Sequence, residues 1–254
     1  MSDFARYPSL TDRVVFITGG GSGIGAEMVT AFADNGARVA FVDIQAEASE
    51  ALVQGLSGGR HPPLFLRCDV TDIGALRAAI AQVKREIGPV AVLINNAAND
   101  DRHKIDEVTP EYWDGAMNVN LRHQFFAAQA VHPHMKELGH GSIVNFSSTA
   151  WMFGGASFVA YASAKAAVVG LTNGLARAFG PDNIRVNAIA PGAVVTERQL
   201  RLWYTKEQVD QMVSRQMIRR RLLPADIART ALFLAADDSG MTTKQCFVID
   251  GGLS

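Results

Sequence analysis

Short apolar, β-branched runs alternate with longer stretches of helical periodicity along the whole chain. Residues 13–18 read as a strand, followed by a glycine cluster and a helical stretch to about residue 35. Residues 37–43 are the next strand, with a helix to about residue 56, and 64–67 the third, with a helix over 73–86. Further strands are expected at 90–95, 142–147, 184–190 and 245–249, helices at 110–138 and 156–180, and helical patterns over 205–236. The strands are nearly continuous apolar runs, which a sheet covered on both faces requires. Strand–helix alternation implies right-handed crossovers and a parallel sheet. The pattern predicts an α/β fold: one doubly wound domain over 1–254, a parallel seven-stranded sheet with helices on both faces. The stretch 199–223 is the least sheet-like, polar and aromatic-bearing, and points to a substrate lid over about 196–223. Segment 156–180 carries Ala, Val, Gly, Phe and Leu around nearly its whole circumference. Such a helix is covered on more than one side. Either a second subunit covers it, or the helix packs inside a thick monomer.

Composition narrows the partners. Charged residues make up 19% of the 254, with a formal net charge of -1, so nothing argues for nucleic acid or an anionic membrane. The basic cluster Arg215, Arg219, Arg220 and Arg221 reads as a solvated helix face near a C-terminus. Cys68 and Cys246 form no CxxC pair and sit in apolar runs, as buried small hydrophobes in a reducing compartment. Residues 1–10 lack an apolar core of signal-peptide length. No run of about 18 apolar residues suggests a membrane span. A cytoplasmic protein is expected. No metal is expected either, because His132 and His134 have no carboxylate or cysteine at ligand spacing.

Candidate chemistry begins at the first strand's end. Thr18-Gly19-Gly20-Gly21-Ser22-Gly23-Ile24-Gly25 follows that strand and opens a helix. Glycines there let a diphosphate approach closely, and the helix N-terminus offers free N–H groups. Gly19, Gly21, Ser22, Gly23, Ile24 and Gly25 are therefore candidate cofactor residues. Asp43 ends the second strand, where a carboxylate accepts hydrogen bonds from the adenosine ribose and repels a 2′-phosphate, favouring NAD. The competing reading of Asp43 is a helix N-cap. Asp69 and Val70 follow the third strand, within reach of an adenine, and Asn96, Ala97 and Ala98 follow the fourth, letting a cofactor lie over the sheet. Each could also be an ordinary strand end.

Tyr161 and Lys165 stand four apart on a helical pattern and share a face. A free tyrosine has a pKa of about 10, and a nearby ammonium favours its phenolate. Ser148 ends the fifth strand, where its hydroxyl could hold a substrate oxygen against Tyr161. A turn serine, with Ser147 as its equal, is the alternative. Asn120 interrupts an apolar helix. Its amide could bind a water that relays protons, or be a satisfied core amide.

The set Thr18 to Gly25, Asp69, Asn95 to Ala98, Asn120, Ser148, Tyr161, Lys165 and Pro191-Gly192 resembles the short-chain dehydrogenase/reductase superfamily, over essentially the whole chain. The resemblance implies a Rossmann-type domain with a catalytic tetrad of Asn120, Ser148, Tyr161 and Lys165. It implies that Tyr161 and Lys165 also contact the cofactor, with Pro191, Gly192, Val194 and Thr196 at its nicotinamide end. It implies a homotetramer or dimer built partly through the long helices and the last strand. Ala98 stands where the family usually has glycine, and Thr242-Thr243-Lys244 replaces a common Thr-Gly.

The run Asn99-Asp100-Asp101-Arg102-His103-Lys104 follows the fourth strand, Trp151 the fifth, and Trp203-Tyr204 lies in the lid. Polar groups beside flat aromatic faces suit a polyhydroxylated ring, with Asn99, Ser148, Trp151, Tyr161 and Trp203 as candidate contacts. A solvated loop is the alternative for the polar run. That run and Trp-Tyr-Thr at 203–205 also resemble the bacterial sugar (aldose) 1-dehydrogenase branch. This implies NAD-dependent oxidation of a cyclic aldose at C1 to its lactone, with D-galactose, L-arabinose and D-xylose as candidates. In that mechanism Tyr161 is the general base, Ser148 holds the hydroxyl, Lys165 lowers the tyrosine pKa, and Asn120 with a water carries the proton out. A polyol or secondary-alcohol dehydrogenase is the alternative enzyme, and an NAD(H)-sensing regulator the alternative outside catalysis.

Overall fold

Seven strands pair side by side: β1 (Val14–Thr18), β2 (Arg38–Asp43), β3 (Leu64–Arg67), β4 (Val92–Asn95), β5 (Gly141–Phe146), β6 (Ile184–Pro191) and β7 (Cys246–Ile249). They belong to a computed structural model that describes residues 5–254. The order is β3-β2-β1-β4-β5-β6-β7, and every pairing is parallel. The chain runs outward from β1 through β2 to β3, then crosses back to lay β4 on the other side of β1. A crevice opens there, outside the carboxyl ends of β1 and β4, where such sheets bind ligands.

The connecting helices are α1 (Gly23–Asp34), α2 (Ala46–Gly55), α3 (Ile73–Glu86), α4 (Pro110–Met117), α5 (His123–Leu138), α6 (Ala150–Phe153), α7 (Val159–Phe179), α8 (Glu197–Leu202), α9 (Lys206–Arg215) and α10 (Pro224–Ala235). Alternation along β1 feeds two cores. Val15 and Ile17 pack with Met28 and Phe32 of α1 and with Ile227 and Leu234 of α10. Val14 and Phe16 pack with Ile80 of α3, Val131 of α5 and Leu175 of α7. Burying each such side chain contributes about 1.5–3 kcal/mol. This is the expected single α/β domain, doubly wound around a parallel sheet.

The helical segments differ in detail. The expected helix over 110–138 is two helices joined by a π-helical turn at Asn118–Arg122. The helix expected from residue 156 begins at Val159, because Gly154 has φ +65° and ends the short α6. The helical pattern over 205–236 splits into α9 and α10. Pro224 lacks an N–H and starts a helix more readily than it continues one. The basic cluster is correspondingly not one helix face: Arg215 ends α9, while Arg219, Arg220 and Arg221 lie beyond it, exposed. Both cysteines are free; Cys68 is buried, but Cys246 is only half-buried, because edge strand β7 pairs on one side alone. Among the described residues no helix is long and apolar enough to cross a membrane.

Candidate active site

A cleft of about 1320 Å³ opens over the carboxyl ends of the strands. Its floor is the glycine loop. Gly19 has φ +68°, and a Cβ there would lie 2.7 Å from the Cα of Ala97. A Cβ on Gly25 would lie 1.8 Å from the carbonyl oxygen of Gly19, so the first turn of α1 tolerates only glycine. Asn96 staples the two strand ends together: its Nδ2 donates to the carbonyls of Thr18 (3.2 Å) and Gly19 (2.8 Å). Thr18 Oγ1 accepts the N–H groups of Asn96 and Ala97 at 3.1 Å each.

Ser22 is the N-cap of α1 and makes no side-chain cap bond, and the first turn holds no acidic residue. The first N–H groups and the positive end of the helix dipole therefore meet the cleft unopposed, which suits a diphosphate. Asp43 is buried beside this loop. Its Oδ2 accepts the Gly21 N–H at 2.8 Å and its Oδ1 the Gln45 N–H at 2.9 Å. The N-cap of α2 is Gln45, so the capping reading of Asp43 is set aside. Asp69 Oδ1 accepts from the Thr71 N–H (2.9 Å) and Oγ1 (2.7 Å). Thr196 caps α8, accepting the Gln199 N–H at 3.3 Å. The structure places every sequence-expected cofactor residue on the cleft wall except Gly21, whose N–H turns to Asp43. Glycine loop, uncapped helix and buried carboxylate together fit a dinucleotide.

The two serines at the end of β5 separate cleanly. Ser147 is buried and donates to the backbone oxygen of Lys165 at 2.7 Å, whereas Ser148 lines the cleft beside Tyr161. Burial holds the Tyr161 phenol above its ordinary pKa; Ser148 and Arg198 pull it down, and Asp100 and Tyr204 push it up. Lys165 stands on the same helix, one turn further on. It is itself buried, and burial pushes its pKa down to about 7, against Asp100. Its Nζ lies 5.6 Å from the centre of the Tyr161 ring and donates to the Phe146 carbonyl at 2.8 Å.

Asn120 is buried in the π-helical turn and does not line the cleft. Its Nδ2 donates to the carbonyls of Asn99 and Ala116 at 3.0 Å each, and its Oδ1 accepts the Asn99 N–H at 2.9 Å. The amide thus clamps the segment after β4. Beneath it lies His123, which sequence reasoning missed. It is buried, and burial followed by the charge of Lys165 lowers its pKa to about 3, against a contact with the Val119 backbone.

Two expected substrate residues are not on the wall. Trp151 lies on an exposed face of α6, and the Trp203 ring is turned to the Arg102 guanidinium, 5.0 Å from its centre. The aromatic residues that do line the cleft are Phe146, Phe153, Phe158, Tyr161 and Tyr204. Two of these lie one or two residues from the expected ones, Tyr204 beside Trp203 and Phe153 two beyond Trp151. A phase error within short helical segments, invisible to periodicity, separates the two sets. Asn99 lines the cleft as expected, joined by Arg198 and Gln199, which no motif marked. Among the described residues no group of three His, Cys, Asp or Glu could hold a metal.

A family model described as "Enoyl-(Acyl carrier protein) reductase" matches residues 19–254. A curated relative from Rhizobium meliloti (strain 1021), named "Probable galactose dehydrogenase", is 51% identical over 250 residues, covering 98% of each chain. The "D-xylose 1-dehydrogenase" of Caulobacter vibrioides is 48% identical over 248 residues, again covering 98% of each. A crystal structure of a "putative short-chain alcohol dehydrogenase" from Sinorhizobium meliloti 1021 superposes with a TM-score of 0.91 at 30% identity, over 97% of this chain and 98% of that one. By fold, by cleft and by these relatives, the chain belongs to the short-chain dehydrogenase/reductase family of oxidoreductases.

Proposed function

We propose that the protein is a cytoplasmic, NAD-dependent aldose 1-dehydrogenase that oxidises a cyclic sugar of the D-galactose, L-arabinose or D-xylose type to its lactone. The observation that carries this reading is the cleft's composition. Ser148 and Tyr161 stand in one cavity with a polar, ion-paired wall of Asn99, Asp100, Asp101 and Arg198. Such a wall suits a polyhydroxylated ring better than an acyl chain or steroid. The substrates named for the two curated relatives point the same way.

NAD, when bound, supplies the acceptor for the hydride leaving C1. The chain's own residues do the rest. Ser148 and Tyr161 hold the C1 hydroxyl, and Tyr161, as the phenolate that the Lys165 ammonium and a cationic nicotinamide ring would favour, takes its proton. Lys165 has N–H donors beyond its bond to Phe146 for a ribose hydroxyl, and its charge helps set the cleft's potential. Asp43 supports NAD over NADP: three N–H contacts reach it, and a carboxylate has about four acceptor positions, which leaves room for a ribose hydroxyl but not for a 2′-phosphate. No basic residue stands in the glycine loop, and Arg38 begins β2 at the far end of the strand from Asp43.

The protein also associates with itself, tetramer favoured, through the outer face of α7. The proposed function is tested by NADH formation with a panel of aldoses, polyols and hydroxy acids, each with NAD and NADP. Turnover with an aldose, releasing acid as the lactone hydrolyses, supports it; silence with every aldose, or preference for NADP, overturns the corresponding part. Tyr161→Phe should keep NADH binding and lose turnover by about 10²–10⁴-fold.

A further inference from the structure

Two segments meet over the outer part of the cleft, residues 99–102 leaving β4 and the start of α8, and they grip each other in both directions. Arg198 pairs with Asp100 Oδ1 through Nη1, and its Nη2 reaches Asn99 Oδ1 at 3.1 Å and Asp101 Oδ1 at 3.3 Å. Gln199 Nε2 donates to Asp100 Oδ2 at 2.8 Å. In return Arg102 lays its guanidinium over the rings of Trp203, Phe158 and Tyr204, at 5.0, 5.7 and 5.9 Å from their centres. Asp100 is therefore fixed, each oxygen held by a different side chain of α8.

Half-exposed ion pairs add little to stability, so this cluster calls for another role. Asp100 lines the same cleft as Ser148 and Tyr161, and its charge acts on both Tyr161 and Lys165. A carboxylate has about four acceptor positions, and the two bonds from α8 leave two. Arg198 has donors left beyond its three bonds. A sugar hydroxyl donates once and accepts twice, and so matches a fixed carboxylate beside a guanidinium.

We propose that Asp100, oriented by Arg198 and Gln199, is the specificity-determining residue that accepts hydrogen bonds from hydroxyls on sugar carbons other than C1. This rests on the aldose reading of the cleft and names the group that selects among aldoses. A sugar lacking that hydroxyl, or carrying it in the opposite configuration, leaves a desolvated carboxylate short of a donor, and such a site rejects the analogue strongly.

The test is steady-state kinetics at saturating NAD with D-galactose and its 2-, 3-, 4- and 6-deoxy derivatives, for the wild type, Asp100→Asn and Asp101→Asn. The wild type should reject at least one deoxy sugar by roughly 10- to 100-fold in kcat/KM, the worth of a hydrogen bond to a charged group. Asp100→Asn should raise KM for D-galactose and collapse that rejection, with NADH affinity unchanged. Asp101→Asn loosens the same clasp without touching Asp100, and should lower all the sugars in parallel. Should Asp100→Asn fail to bind NADH and so prove unfolded, Asp100→Ser replaces it. Wild-type turnover with deoxy penalties that survive loss of the carboxylate overturns this inference alone. Absence of turnover with every aldose overturns the aldose reading and the inference with it.

Discussion

Lys165 reacts strongly to its surroundings. It is buried with one hydrogen bond to a carbonyl, and its pKa of about 7 in the fold compares with 10.5 when free. Between those values the unfolded chain binds more protons than the folded one, so this group makes stability rise with pH across the window. Below about 7 the cost of the buried ammonium is present in full. Lys165→Met should therefore raise the melting temperature of the ligand-free protein near neutral and mildly acid pH, at about 2–4 °C per kcal/mol, while removing turnover. The gain should fade as the pH approaches 10.5. Thermal melts across pH measure it, and a lower melting temperature at acid pH would show that the ammonium is net stabilising. At this scale the sequence was only partly legible. Tyr161 and Lys165 could be paired from their spacing. Ser147 and Ser148 could not be told apart, because successive residues leave a strand on opposite faces. His123 was invisible, since nothing in its neighbours marks a histidine buried under a lysine.

Among the elements, the π-helical turn at Asn118–Arg122 shows what periodicity misses. One extra residue in a turn barely disturbs an apolar pattern, so 110–138 reads as continuous. The widened turn directs Asn120 to the backbone of Asn99, where the amide supplies both a donor and an acceptor. Asn120→Ala leaves that N–H and C=O unpaired, a loss of about 1–3 kcal/mol. The variant should melt lower, and KM for the sugar should rise because the segment carrying Asp100 loosens, with NADH affinity nearly intact. A variant that lost only kcat, at unchanged stability and KM, would give Asn120 a proton-relay role and no clamping one. The strands were legible to within two residues because parallel, doubly covered strands are bare apolar runs. The helical pattern over 205–236 was less legible: it splits into α9 and α10, and a short helix fixes its phase only by packing.

At the scale of the whole molecule, α7 carries two surfaces. One holds Tyr161 and Lys165 toward the cleft and packs Leu175 and Ala176 into the core beside β6. The other bears Ala167, Gly170, Gly174 and Ala178, a stripe of small exposed residues at helical spacing. A Cβ added at Gly170 or Gly174 would meet nothing within 4 Å. The apolar circumference that called for a cover on two sides is thus covered by this chain on one side only, in keeping with the proposed self-association. Small residues let a second backbone approach closely, so a second copy of α7 is the partner that fits. Sedimentation equilibrium should give a multiple of 27.3 kDa. Gly170→Arg puts a charge into the stripe without touching either core, and should yield monomers that still bind NADH. Because the catalytic pair rides on the same helix, those monomers should turn over more slowly and melt lower than the assembly. A wild type that sediments as a monomer, or a Gly170→Arg variant of unchanged mass, would remove α7 as the interface.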